Sequence, residues 1–248
     1  SDRLSRISFT NDIDSDLVKN ADLVIEAVFE DMKIKRDIFA KLEARCRPDT
    51  IFCTNSSVMS PSEISAELQH RERFVGTHFW NPGHLIPLVE VVKSDASSDE
   101  VAQTVMEVLR SVGKKPVLCK KDVPGFIANR MQHALWREAI SIVENGIADA
   151  ATVDEAVRYS FGLRLPQLGP MENADMVGTD LTYNIHDYIL RDLEDSHEPS
   201  PLLKQLRDEG KIGFKTGEGF QTWTPGQIKA SNEGLNDYLV DMLYGKKK

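Results

Sequence analysis

The sequence predicts an α/β fold in which an open, mostly parallel sheet is followed by an all-helical second domain. Three observations carry this. Short apolar runs alternate with helical patterns through the first half, strand signals stop after Val123-Pro124-Gly125, and the 248 residues exceed one average domain.

The elements follow in order. Residues 21–28, Ala-Asp-Leu-Val-Ile-Glu-Ala-Val, are apolar without polar alternation, the pattern of a strand covered on both faces. Over residues 32–42, Ile34, Ile38, Phe39 and Leu42 recur at helical spacing, and Arg47-Pro48-Asp49 is a stop signal. Residues 50–54 read as a strand, 61–68 as a short helix, 74–79 and 88–92 as strands, 99–112 as a helix and 116–119 as a strand. Pro and Gly punctuate residues 121–125, which divides the chain into domains 1–122 and 123–248. Beyond that point helices are expected over 126–144, 152–159 and 175–193. No internal repeat or low-complexity segment interrupts them.

Composition excludes several classes of function. With 30 Lys and Arg against 39 Asp and Glu, the net charge of −9 repels nucleic acids and anionic membranes at long range. Cys46, Cys53 and Cys119 are widely separated and set among apolar residues, so neither a disulfide framework nor a metal cluster is expected, and the chain reads as cytoplasmic. No apolar run approaches the roughly 20 residues that cross a bilayer. The opening Ser1-Asp2-Arg3-Leu4 is too polar for a signal peptide, and residues 246–248, three lysines, read as a solvated tail.

Chemistry concentrates in Gly76-Thr77-His78-Phe79-Trp80-Asn81-Pro82 and Leu88-Val89-Glu90-Val91-Val92. Carboxyl ends of strands face the ligand crevice of an open α/β sheet, so His78, followed by an Asn-Pro turn, is placed to meet a substrate. Glu90, flanked by apolar residues, is costly to bury without a partner, and His78 is a natural one. The other readings are a structural histidine and a Glu90 facing solvent on an edge strand.

Six stretches taken in order resemble the short-chain L-3-hydroxyacyl-CoA dehydrogenase family. They are residues 24–30 (Val-Ile-Glu-Ala-Val-Phe-Glu), 54–57 (Thr-Asn-Ser-Ser), 78–82, 88–91, 122–130 (Asp-Val-Pro-Gly-Phe-Ile-Ala-Asn-Arg) and 213–220 (Gly-Phe-Lys-Thr-Gly-Glu-Gly-Phe). The ordered set is more specific than any one member. The resemblance implies an incomplete Rossmann-type parallel sheet followed by an all-α substrate and dimerisation domain. It also implies an NAD-dependent enzyme that oxidises the 3-hydroxyl of a 3-hydroxyacyl-CoA to the ketone, in fatty acid metabolism. His78 would be the general acid/base and Glu90 its orienting partner, while Ser57 and Asn129 would hydrogen-bond the substrate oxygen and Asn81 would be a further active-site residue. Glu30, Lys35, Asn55 and Ser57 would line the cofactor site. The partners implied are a small-molecule substrate and a second copy in a homodimer.

Bland readings stand beside these. Ser57 would cap the helix that Pro61 begins, Asn81 would make a turn before Pro82, and Glu30 and Lys35 would be a solvated helix start. Residues 211–220 lack the spacing of a phosphate loop and read as a structural turn, with Phe220 and Trp223 as core or interface aromatics. His133 reads as a packing residue.

The sequence also departs from the family. No Gly-x-Gly-x-x-Gly turn precedes the first strand, residues 1–10 resemble the approach to a later sheet strand, and this stretch alone is expected to hold NAD weakly. Residues 80–87, Trp-Asn-Pro-Gly-His-Leu-Ile-Pro, stand where acyl-CoA enzymes commonly have Phe and a Met- or Leu-containing sequence. Together with residues 164–170 and 173–175 they resemble carnitine- and gulonate-type dehydrogenases of free 3-hydroxy acids. In that reading His84 and Arg164 would bind a carboxylate. A crystallin-like, non-catalytic role is a third alternative, against which the joint presence of His78, Glu90, Ser57 and Asn129 speaks.

Overall fold

The computed structural model describes residues 4–245, so the lysines at 246–248 and residues 1–3 lie outside the described residues. Two compact units divide the chain, one reaching Arg130 and the other running Met131–Met242.

After a single 3-10 turn at Leu4–Arg6 and a short α1 (Asp16–Lys19), the first unit builds a five-stranded sheet. Its strands are β1 (Leu23–Glu26), β2 (Ile51–Thr54), β3 (Phe74–Phe79), β4 (Leu88–Lys93) and β5 (Lys115–Cys119), in that spatial order. All neighbouring pairs are parallel except β3 with β4, which is antiparallel and sets His78 opposite Glu90. Helices α2 (Met32–Glu43), α3 (Pro61–Ile64) and α4 (Asp99–Ser111) supply the parallel crossovers. Each begins at a polar cap: Asp31, Ser60 and Ser98 accept the amides of Ile34, Glu63 and Val101.

The sheet is covered on both sides. Strand alternation sends Phe52 and Phe74 to one face, where they pack with Phe39, Leu42, Ile64 and Leu68. Cys53, Val75, Val89 and Val91 take the other, against Ala102, Val105, Met106 and Leu109 of α4. Gly76 lies where β3 meets α3 and β4; a Cβ there would come 3.0 Å from Pro61 Cγ and 3.1 Å from Val92 Cβ.

Several expectations need correction. β1 is shorter than the apolar run and forms the edge of the sheet; Leu23 packs against the α4-covered face, but Ile25 on the same face is 43% exposed. The helix expected over 61–68 is only Pro61–Ile64, ending at Ser65, whose hydroxyl bonds back to the Pro61 carbonyl.

In the second unit the long α5 (Ala128–Glu144), which starts in the first, leads to α6 (Ala150–Arg158) and α7 (Phe161–Arg164). The helix expected over 175–193 is two: α8 (Pro170–Val177) ends at Gly178, whose φ of 101° no helix accommodates, and α9 (Thr179–Ile189) follows. α10 (Pro201–Asp208) and α11 (Pro225–Tyr244) had no counterpart in the apolar pattern. Residues 211–223 form a turn stitched by bridges from Glu218 to Gly213 and Thr222, with Phe214 edge-on to Trp223. No residue between 131 and 242 is buried, and Met171, Met176, Tyr183 and Tyr188 are largely exposed. His133, expected to pack, is exposed too, its ring edge-on to Trp136.

Candidate active site

A buried dyad sits where β3 and β4 meet. His78 is 5% exposed and Glu90 wholly buried on an interior strand, which removes the edge-strand alternative for Glu90. His78 Nδ1 lies 2.8 Å from Glu90 Oε2. A buried carboxylate is an acceptor only, so the hydrogen bond assigns the proton to Nδ1 and leaves Nε2 as the ring's free acceptor.

Glu90 is fully satisfied. Its Oε2 also accepts the Trp80 indole Nε1–H at 3.1 Å, and its Oε1 accepts the amides of Ile127 and Ala128, each at 2.9 Å. Those amides are delivered by a tight turn in which Gly125 (φ 76°) and Phe126 (φ 49°) are both left-handed. A phenylalanine in that conformation costs of order 1–3 kcal/mol, and its buried ring beside His78, 5.7 Å between centroids, helps to hold it there. Desolvation works to raise the Glu90 carboxyl, but His78, the two amides and Trp80 outweigh it and bring its pKa to about 2. It is therefore ionised throughout the neutral range.

The remaining expected residues are distributed around this dyad. Asn55 Oδ1 accepts the Phe79 amide at 2.9 Å, tying the end of β2 to the strand that carries His78. Asn129 lies in the first turn of α5, one residue beyond the Ala128 amide, and is half-buried. Asn81 and His84 are exposed, and the Asn81–Pro82 peptide is cis. Ser57 is exposed without a hydrogen bond among the described residues, and Ser60, not Ser57, caps α3. Arg164 is exposed on the second unit.

A second polar cluster closes the end of β1. Lys35 is 1% exposed, so the solvated-helix reading fails for it: its ammonium lies 2.8 Å from Glu26 Oε1 and 3.2 Å from Glu30 Oε2. Glu26 also accepts the Val28 amide at 2.6 Å and the Thr54 hydroxyl at 2.7 Å. Glu30 is partly exposed and accepts the Ser56 hydroxyl. Partial burial works to raise its carboxyl, while Ser56 and Lys35 hold it below the ordinary value. Glu30 thus offers a fixed anionic acceptor at the carboxyl edge of the sheet, which fits a nucleotide ribose or carboxamide donor. Sequence reasoning missed Glu26, Thr54, Ser56 and the indole donor of Trp80, although Glu26 carries the same signal as Glu90, a carboxylate inside an apolar strand.

Comparison with known proteins gives the family. The family model for the 3-hydroxyacyl-CoA dehydrogenase NAD-binding domain matches residues 1–123, and that for the 3-hydroxyacyl-CoA dehydrogenase C-terminal domain matches residues 125–223. The chain is 37% identical over 224 residues to 5-formyl-3-hydroxy-2-methylpyridine 4-carboxylate 5-dehydrogenase of Mesorhizobium japonicum, covering 90% of this chain and 72% of the relative. It is 38% identical to the human mitochondrial hydroxyacyl-coenzyme A dehydrogenase, covering 88% and 68%. Among solved structures, a 5-formyl-3-hydroxy-2-methylpyridine 4-carboxylic acid 5-dehydrogenase, described as an NAD+-dependent dismutase, superposes with a TM-score of 0.90 at 36% identity, over 96% of this chain and 78% of the other. The (S)-3-hydroxybutyryl-CoA dehydrogenase of Ralstonia eutropha gives 0.72 at 29% identity, over 89% and 76%.

Proposed function

The chain belongs to the 3-hydroxyacyl-CoA dehydrogenase family of NAD-dependent oxidoreductases, and we propose that in it His78, oriented by Glu90, removes the hydroxyl proton of a 3-hydroxyacyl-CoA as the alcohol becomes a ketone. The observation that carries this is the buried His78–Glu90 contact at 2.8 Å, which leaves Nε2 free to take a proton. Glu90, held ionised by four donors, stabilises the imidazolium that forms and returns the ring to one tautomer after each turnover. A base so placed contributes on the order of 10²–10⁴-fold. When bound, NAD supplies the hydride acceptor; Glu30, Lys35, Asn55 and Ser57 are the residues of this chain proposed to hold its nicotinamide end. Asn129 and Ser57 are proposed to hydrogen-bond the substrate oxygen and Asn81 to border it, and in reduction those bonds polarise the carbonyl.

A second reading for substrate, a small hydroxy or aldehyde acid without CoA, has one observation in its favour. The relative that superposes at 0.90 has a pyridine carboxylate in its name, whereas the 3-hydroxybutyryl-CoA enzyme superposes at 0.72. The test is NADH oxidation by the full-length protein with acetoacetyl-CoA against free acetoacetate. Turnover of the thioester at least a hundredfold faster supports the first reading, and the reverse order supports the second. Loss of activity in His78→Asn is required by both.

The functional division is proposed at residues 122–123. The second unit is proposed to complete itself against a second copy, since exposed Met171, Met176, Tyr183 and Tyr188 without a buried residue beneath them exceed what a lone unit leaves in water. Light scattering giving a single 27.9 kDa species would overturn the dimer. No described helix is long and apolar enough to cross a membrane.

A further inference from the structure

The Trp80 indole shares one carboxylate oxygen with the imidazole. Both Trp80 Nε1–H and His78 Nδ1–H point at Glu90 Oε2, at 3.1 and 2.8 Å, while Oε1 is occupied by the Ile127 and Ala128 amides. The two rings lean together with centroids 5.6 Å apart and Trp80 is half-buried, so the indole is held against the dyad. An amide pair on the far oxygen orients the carboxylate without touching the imidazole. A donor on the near oxygen takes the second of its two lone-pair sites and draws on the same negative charge that holds the imidazole.

We infer that Trp80 is a positioning residue whose indole N–H sets how strongly Glu90 holds the imidazolium of His78, and thereby where on the pH scale the enzyme gains its base. This rests on the proposed role of His78. The ionic surroundings of the pair are sparse. β4 carries Glu90 and, three residues on, Lys93, which is paired with Asp99; β2 is followed by the neutral Asn55, and the β5 side contributes the exposed Lys115 and the Cys119 thiol, with Asp122 and Arg130 in and after the turn that leads to α5. The Cys119 thiol is pushed up by its burial and stays neutral through the working range. No other group of the dyad's surroundings therefore duplicates the indole donor.

Phenylalanine at this position keeps an aromatic ring and deletes the donor. The indole bond to ionised Glu90 is charge-assisted and is present with His78 neutral or protonated, so only the change in its strength between those two states displaces the limb, by about half to one pH unit. Freed of its competitor, Glu90 binds the imidazolium more tightly, so the neutral base appears at higher pH. The experiment is the pH profile of kcat/KM for alcohol oxidation by the full-length protein and by Trp80→Phe, with NAD and whichever of 3-hydroxybutyryl-CoA and 3-hydroxybutyrate is turned over. The expected result is an acid limb displaced upward by about half to one unit, with kcat at the alkaline plateau changed less than the displaced limb. A limb that stays in place or moves down overturns the inference. His78→Asn is run beside it: if that variant keeps its rate, the role of His78 falls and the inference with it, whereas a dead His78→Asn with an unmoved Trp80→Phe limb defeats the inference alone.

Should Trp80→Phe fail to fold, nitrogen-15 spectra of the wild-type indoles decide. Trp80 is assigned by elimination with Trp136→Phe and Trp223→Phe. Its Nε1–H resonance must shift with the same midpoint as the kinetic limb, and a resonance constant through that range overturns the inference.

Discussion

Replacing Glu90 by glutamine changes one atom in the most saturated polar site of the molecule. The carboxylate accepts four hydrogen bonds, two on each oxygen. A glutamine keeps one acceptor oxygen and turns two donors toward whatever faced the other. If the amide nitrogen faces Ile127 and Ala128, two backbone N–H groups are stranded in a buried turn. If it faces His78 and Trp80, only the indole loses its acceptor, because the imidazole can move its proton to Nε2 and accept the amide through Nδ1. The second arrangement is therefore the cheaper. Its stability loss is one unsatisfied donor, about 1–3 kcal/mol, plus the weakening of two charge-assisted bonds to neutral ones, about 1 kcal/mol or a little more each, or about 3–6 kcal/mol in all. The chemical consequence is larger. With its proton on Nε2 the ring has no lone pair to offer a substrate hydroxyl, so kcat/KM for oxidation should fall by on the order of 10²–10⁴-fold in a protein that remains folded. Urea unfolding at pH 7 measures the first quantity and NADH production the second. A folded Glu90→Gln within tenfold of wild type would refute the tautomer argument.

The same contacts fix three further outcomes. The Glu90 carboxyl falls from an ordinary 4.5 to about 2 on folding, so its stabilisation is present above 4.5 and lost as pH drops toward 2; the urea stability of wild type over Glu90→Gln should shrink by about 3 kcal/mol across that window, and a constant difference contradicts it. Lys35→Met leaves Glu26 charged and buried without its cation and should lose about 3–5 kcal/mol, part of which Glu26→Leu in the same chain restores; a loss below about 1 kcal/mol would mean that the Glu26–Lys35 contact at 2.8 Å carries little. Gly76→Ala drives a methyl into Pro61 and Val92 and should lower the stability measured by urea unfolding by about 1–3 kcal/mol, whereas an unchanged stability would show that α3 can retreat.

The alternation of apolar runs and helical patterns was enough to find β2, β3, β4 and α4, because each sends apolar side chains into one of the two core clusters. The pairing of His78 with Glu90 was legible for the same reason: a carboxylate among valines has to find a donor. The rest was decided by contacts between segments far apart in sequence. Glu26 showed the Glu90 pattern, yet its partner Lys35 lies on the following helix, where a lysine ordinarily points to water. The break between α8 and α9 rests on one glycine conformation, and an apolar pattern continues through it undisturbed. Ser57 and Ser60 both stand before Pro61 at plausible distances, and only the backbone path selects Ser60 as the cap. The helical unit misled most, since an amphipathic pattern shows that a face is apolar and not what covers it.

His78 and Glu90 face each other as register partners on the one antiparallel pair of the sheet. Their separation is thus written in main-chain hydrogen bonds and owes nothing to the length of the segment that joins the strands. A slip of either strand by a single residue would send its member of the pair through to the opposite face, which the packed sheet forbids. Residues 81–87 are held apart from this register, their Gly83 and Ile86 carbonyls fastened by the Lys114 ammonium. The connection can accordingly be lengthened, shortened or exchanged without retuning the reactive pair. A library confined to residues 81–87 should therefore keep a nearly constant pH profile, whatever it does to substrate selectivity.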